Sequence, residues 1–159
     1  MSVAFTKEED YESTAADLPD RPISPHPNLV TAQGLALIEA ALVEARAAMT
    51  TAKSGGDVSA DRTAMARATR DLRYWGSRRA SAQLVEPGGD QGVVRFGDGV
   101  TFEREDGRKQ TFRIVGEEEA DPARGSVSWI SPLGQALLGK SVGDEAMVAG
   151  QVVEIVSIG

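Results

Sequence analysis

The sequence predicts an α+β protein: an antiparallel helical hairpin, then a small antiparallel β domain carrying one short helix. Three observations predict it. Apolar residues recur at alternating steps of three and four on both sides of Gly55-Gly56-Asp57, the period of helices with one buried stripe. Pro87-Gly88-Gly89-Asp90 then interrupts the chain as a linker does. Beyond it the apolar period falls to two, the period of strands. These signals divide the chain into an acidic, proline-rich tail over residues 1–30, a coiled-coil hairpin over 31–86 and a sheet domain over 92–159.

Composition narrows the class. A chain of 159 residues suits one large or two small domains. Its 41% apolar content supports a core, and with only 5% aromatics that core is aliphatic. No cysteine is present, which excludes disulfide and thiol chemistry and fits a reducing compartment. No apolar run reaches 18 residues, and the start lacks the basic-then-apolar pattern of a signal peptide. A cytoplasmic protein without membrane contact is expected. The net charge of −7 argues against nucleic-acid binding by bulk charge. It is unevenly spread, however: residues 57–85 hold 3 acids and 6 arginines, whereas residues 86–159 hold 13 acids and 7 bases.

In chain order, six acids lie between Glu8 and Asp20, and Pro19, Pro22, Pro25 and Pro27 follow. The acids predict a disordered start, and the prolines an extended lead-in. His26, between two prolines and with no second ligand or nucleophile near it in sequence, reads as a loop residue. Thr31 is placed to cap the first arm, and Gly34 weakens its first turn. The arm's seam is Leu35, Ile38, Leu42, Ala45 and Met49. Gly55-Gly56 ends it, about 35 Å from its start at 1.5 Å per residue. Asp57 is placed to cap the second arm, whose seam is Met65, Ala68, Leu72, Trp75, Arg79 and Ala82. Arg62, Arg67, Arg70, Arg73, Arg78 and Arg79 line that arm, with Asp71 the one acid after Asp61. So few acids within the helix leave two readings open, a solvated charged face or a phosphate-facing surface.

In the sheet domain Val93–Phe96, Val100–Arg104, Lys109–Val115 and Ser126–Ile130 read as strands. Glu105-Asp106-Gly107 reads as a hairpin turn, with glycine where positive φ is needed. Ser131-Pro132 opens a short helix, serine as N-cap and proline at its first position. Gly139 closes it, and a last hairpin pairs Glu145–Ala149 with Gln151–Ile158 around Gly150.

These residues also carry a resemblance. Phe112-Arg113-Ile114-Val115-Gly116, Glu119-Ala120-Asp121, Ser131-Pro132-Leu133-Gly134-Gln135-Ala136-Leu137-Leu138-Gly139-Lys140 and Gly143-Asp144 occur in that order. With Val94-Arg95-Phe96-Gly97 and the tip Gly56-Asp57, they resemble the bacterial Gre family of transcript-cleavage factors over roughly residues 31–159. Residues 1–30 are outside the general pattern.

The resemblance implies an FKBP-like sheet domain that docks on the rim of the RNA polymerase secondary channel, here through Ser128, Ser131 and Pro132. It implies a coiled coil that enters the channel, where acids at the tip help hold a magnesium ion at the polymerase active site and promote hydrolysis of backtracked RNA. Asp57 and Asp61 are then the catalytic and metal-sharing pair. The implied partners are RNA polymerase and the nascent RNA 3′ end, faced by Arg62, Arg67, Arg70 and Arg73, with no small-molecule substrate. The chemistry is sound on its own terms: magnesium prefers carboxylate and water oxygens, and two metals stabilise both attacking and leaving oxygens of a phosphodiester. This chain alone offers too few ligands to be a nuclease, so it binds no ion in isolation and serves at most as a cofactor to the polymerase.

Two features depart from the family pattern. Ala60 stands where the second tip acid belongs, the next acid being Asp61, and the first arm is shorter by about three turns, or some 16 Å. A channel-occupying regulator without cleavage is therefore the alternative. A prolyl isomerase is a third reading, implied by the fold alone. It needs an aromatic-lined pocket, whereas residues 92–159 contain only Phe96, Phe102, Phe112 and Trp129 as aromatics.

Overall fold

The structure, a computed structural model, describes residues 18–55, 58–88 and 92–159, with side chains left out at 58–61. It divides into two compact units. One contains Ile38–Ser81 with the N-terminal residues up to Pro25, the other His26–Leu37 and Ala82–Gly159.

The helical unit is built on α1 (Ala32–Lys53) and α2 (Val58–Ser81), of 22 and 24 residues. At 1.5 Å per residue these are about 33 and 36 Å long. Along α1 the buried positions Ile38, Leu42, Ala45 and Ala52 alternate steps of three and four through half-buried Met49, the stripe that the sequence predicts. The second stripe differs in one respect. Ala68 is buried and Leu72 and Trp75 half-buried, but the next inward residue is Arg78, only 1% exposed, rather than Arg79. Arg79 points outward and donates from Nε to Glu39 Oε1 at 3.0 Å. The aliphatic stem of a long cation can fill a seam position where a shallow row of alanines leaves room.

Leu18–Asn28 forms neither helix nor strand. Its first part lies against α2: Asp20 pairs with Arg73 at 3.2 Å, and Arg21 pairs with Asp71 at 3.5 Å. Of the expected disordered acidic start, residues 1–17 lie outside the described residues, whereas its last acid, Asp20, is placed and paired.

The second unit holds two sheets. β1 (Leu29–Val30) and β2 (Gln83–Leu84) pair in parallel. This short ladder, with Asn28 and Val30 nearly fully buried, is why the chain on either side of the hairpin clusters with the sheet. Gly116 completes it: a Cβ there would lie 2.4 Å from the Leu29 carbonyl oxygen, so only glycine lets the backbones approach.

The larger sheet contains β3 (Gly99–Arg104), β4 (Lys109–Val115), β5 (Ser126–Ser128), β6 (Glu145–Val148) and β7 (Gln151–Ile158), in the order β5-β4-β3-β7-β6. Three pairings are antiparallel as the sequence suggests, but β5 runs parallel to β4. A 3-10 turn at Pro122–Arg124 and left-handed Gly125 return the chain to that edge in the same direction. The fold is thus α+β with a mixed sheet.

Val93–Phe96, expected as a strand, is not one. Val94 gives its N–H to Lys140 O at 2.8 Å and accepts from Gly139 N at 2.9 Å, while Arg95 closes a turn with Asp98 instead, too little to extend a ladder. Its side chain still enters the core with Val100, Phe102, Ile114, Val127, Leu137, Val153 and Ile155. Full burial of Phe102 stabilises by about 1.5–3 kcal/mol. Phe112 stacks on it at 6.1 Å, and Phe112 and Trp129 pack on the same cluster, so three of the four aromatics of this unit are core residues. In the β3–β4 turn Asp106 accepts from the Arg108 backbone N–H at 3.0 Å. That bond, more than the Arg108 guanidinium, holds the Asp106 carboxyl below its usual range.

Candidate functional site

Three groups of residues carry the functional expectations: the hairpin tip, the arginine face of α2 and the segment that opens the short helix α3 (Pro132–Leu137).

At the tip, α1 ends on hydroxyls rather than on an apolar lock. Ser54 Oγ donates to the carbonyls of Thr50 and Thr51 at 3.2 and 3.1 Å, and Thr50 Oγ1 donates to Arg46 O at 3.1 Å. These bonds satisfy carbonyls that every helix C-terminus leaves open, so the helix finishes cleanly with Thr50, Thr51, Lys53, Ser54 and Gly55 exposed. Asp57, with Gly56, lies outside the described residues. Asp61 is the fourth residue of α2, and its side chain is likewise outside the description. Among the described residues no group of three or more acid, histidine or cysteine side chains could hold a metal.

On α2, Arg62, Arg67 and Arg73 are exposed and Arg70 half-buried. The face is less bare than charge counting within the helix suggests. Asp20 reaches Arg73 and Glu39 reaches Arg79, from 53 and 40 residues away in sequence. Arg70 Nε donates to its neighbour Asp71 at 3.3 Å. Arg21 lies over the Tyr74 ring at 3.9 Å from its centroid and 5.4 Å from that of Trp75. Asp20 and Arg21 are thus residues of this face that sequence reasoning missed. Their one visible signal, the run Asp17-Leu18-Pro19-Asp20-Arg21 before the hairpin, says nothing about where it docks.

The α3 segment is tied down by its own hydroxyls. Ser131 Oγ accepts from Gly134 N at 3.0 Å, the predicted N-cap, and donates to Ser128 O at 2.7 Å. Ser128 Oγ accepts from Ile130 N at 3.2 Å, and Gln135 Nε2 donates to Trp129 O at 2.6 Å. Pro132 is exposed at the first helical position, where its missing N–H costs nothing. Gly134 is compulsory, since a Cβ would lie 2.3 Å from Ser128 O. Of the three expected docking residues, the two serines hold the loop in shape and Pro132 alone presents a side chain with no internal hydrogen-bonding duty.

At the start of α1, Thr31 caps as expected, accepting from Gly34 N at 3.0 Å. Its hydroxyl donates to Glu119 Oε2 at 2.5 Å. That oxygen would lie 2.9 Å from a Cβ on Gly34. The glycine therefore admits a carboxylate to the positive end of the helix, a gain the sequence shows only as a loss of helix propensity.

The family model described as "Transcription elongation factor, GreA/GreB, C-term" matches residues 89–159. Transcription elongation factor GreA of Desulfovibrio desulfuricans is 42% identical over 99 residues, covering 60% of this chain and 59% of that protein. Transcription elongation factor GreB of Neisseria meningitidis serogroup B is 36% identical over 111 residues, covering 65% of this chain and 67% of that protein. The chain belongs to the GreA/GreB family. It spans about 59% of the length of the first of these relatives and 67% of the second. Among solved structures, the GreA factor homolog 1 (Gfh1) protein of Thermus thermophilus is 21% identical, with a TM-score of 0.39 over 84% of this chain and 99% of that one. No helix among the described residues is long and apolar enough to cross a membrane.

Proposed function

We propose that this chain is a transcription elongation factor that binds RNA polymerase at its secondary channel and stimulates cleavage of backtracked RNA. The observation that carries the reading is a family-matched C-terminal sheet unit preceded in the chain by two long helices with an acid, Asp57, between them in sequence. In this reading the sheet unit docks through the Ser128–Pro132 segment and the hairpin delivers Asp57, with Asp61 as its partner, to the polymerase active site. There the two carboxylates complete the ligand set of a magnesium ion that the polymerase holds. The ion's chemistry is to activate water and stabilise charge on the phosphodiester. The hydrolysis belongs to the polymerase, and this chain supplies a cofactor rather than an active site.

A second reading is favoured by one feature, Ala60 at the position of the second tip acid. It makes the chain an occupant of the channel that binds without cleaving and displaces factors that do cleave.

A transcript-cleavage assay on stalled polymerase separates the two. Stimulated shortening of the RNA by the wild type, lost in Asp57→Asn, supports the first, since asparagine caps a helix as well as aspartate but carries no charge. A wild type that binds polymerase yet never cleaves at any magnesium concentration establishes the second. Absence of polymerase binding overturns both.

A further inference from the structure

We infer that Asp20-Arg21 sits on a face of α2 that takes single-stranded RNA, and that the segment around it competes with RNA for that face. The inference rests on the reading of this chain as a factor that meets RNA, but the face itself is read from contacts within one unit. Asp20 Oδ1 lies 3.2 Å from Arg73 Nη1. One residue on, the Arg21 guanidinium lies 3.9 Å from the centroid of Tyr74 and 3.5 Å from Asp71 Oδ1. Trp75 meets Tyr74 edge-on at 5.0 Å and fixes the ring.

The dipeptide imitates a nucleotide. A flat, delocalised guanidinium stacks on an aromatic ring as a base does. The neighbouring carboxylate occupies an arginine as a phosphate does. Under the strap lie an aromatic ring and, within about one helical turn, Arg73 and Arg70, the combination that single-stranded nucleic acid uses without regard to sequence.

The strap is built to leave. Both partners of the Asp20–Arg73 pair are about two-thirds exposed, and both partners of Arg21–Asp71 about one-third. Pairs so open to water hold weakly and are screened by salt. Position also restricts the effect. Arg73 is 15 residues beyond Val58, the first residue of α2, about 22 Å along the helix axis, so only RNA displaced well past the start of α2 reaches this face.

The test uses the full chain and a fluorescent single-stranded RNA oligonucleotide, with binding followed by anisotropy over a salt series and without polymerase. Asp20→Ala/Arg21→Ala removes one charge of each sign, so any gain in affinity does not come from net charge. A strap that closes the face lowers affinity by the fraction of molecules in which it is open, so its removal raises affinity about three- to tenfold. Adding Tyr74→Leu returns the affinity to the wild-type value or below. Arg21→Lys, which keeps the charge and loses the planar stack, falls between wild type and the double variant.

Unchanged or weaker RNA binding by the double variant overturns the inference, as does a gain that survives Tyr74→Leu. A change in polymerase affinity with none in RNA affinity also overturns it and assigns the face to protein. Transcript cleavage by the same proteins, read separately, tells failure of this inference from failure of the functional reading.

Discussion

Ser131 offers a direct way to separate folding from docking in the segment 128–132. Ser131→Ala removes the acceptor for Gly134 N and the donor to Ser128 O. Loss of an N-cap serine costs about 1 kcal/mol. The Ser128 carbonyl keeps the Ser131 backbone N–H at 3.0 Å, so the second loss falls at the low end of a hydrogen bond's net worth, about 0.5 kcal/mol. Together these give about 1.5 kcal/mol. In a unit of this size each kcal/mol moves the midpoint by about 4–8 °C, so the transition of the sheet unit should fall by roughly 6–12 °C. Pro132→Ala loses no hydrogen bond and relaxes the unfolded chain, a cost of about 0.4–1 kcal/mol at most. Thermal unfolding followed by circular dichroism, in parallel with polymerase binding, gives two readouts. Ser131→Ala should lower the midpoint and Ser131→Asp should restore most of it, because aspartate also caps. Pro132→Ala should weaken polymerase binding with a smaller fall in midpoint, about 2–8 °C at most by the same conversion. A Ser131→Ala midpoint within about 2 °C of wild type would refute the assignment of Ser131 as the structural member of the trio.

Two further predictions concern the stability of the sheet. Ala149 and Gly150 both have positive φ, 50° and 79°, in the two-residue turn between Val148 and Gln151; an alanine there pays about 1 kcal/mol that asparagine largely avoids, so Ala149→Asn should raise the midpoint, and a fall would contradict the turn geometry. Glu154 faces Glu103 on β3 and Glu145 on β6, and Glu103 in turn faces Lys109; Glu154→Lys should stabilise by up to about 1 kcal/mol, a gain that shrinks as salt is raised and that a salt-insensitive melting curve would disprove.

The elements were legible wherever a period or a local bond decides the outcome. The seam of α1 appears at its predicted positions because one buried stripe on a 22-residue helix repeats often enough to be read. The cap at Ser131 was legible because it is a bond across three residues. What failed was decided by partners far along the chain. Val94 is one paired residue whose partners are Gly139 and Lys140, and no periodicity encodes a ladder of length one. The parallel setting of β5 depends on the turn at Pro122–Gly125, not on the apolar pattern of Ser126–Ser128. Arg79 and Arg78 are one residue apart, and only packing decides which of two long cations lays its stem in a shallow seam.

The arginine face shows the same limit with a functional consequence. Counting acids within α2 treats the helix as its own electrostatic environment, and on that count the arginines lack neutralising neighbours. The acids that answer them stand on other segments: Asp20 before the hairpin and Glu39 on α1. Exposed pairs of this kind contribute at most about 1 kcal/mol each to folding, so the structure gains little from covering the face, and an incoming polyanion can displace them. Charge pairing on α2 is therefore no argument against a phosphate partner. On the inference drawn above, the exposed pairs that hold Asp20-Arg21 over Tyr74 are weak enough for RNA to compete with them.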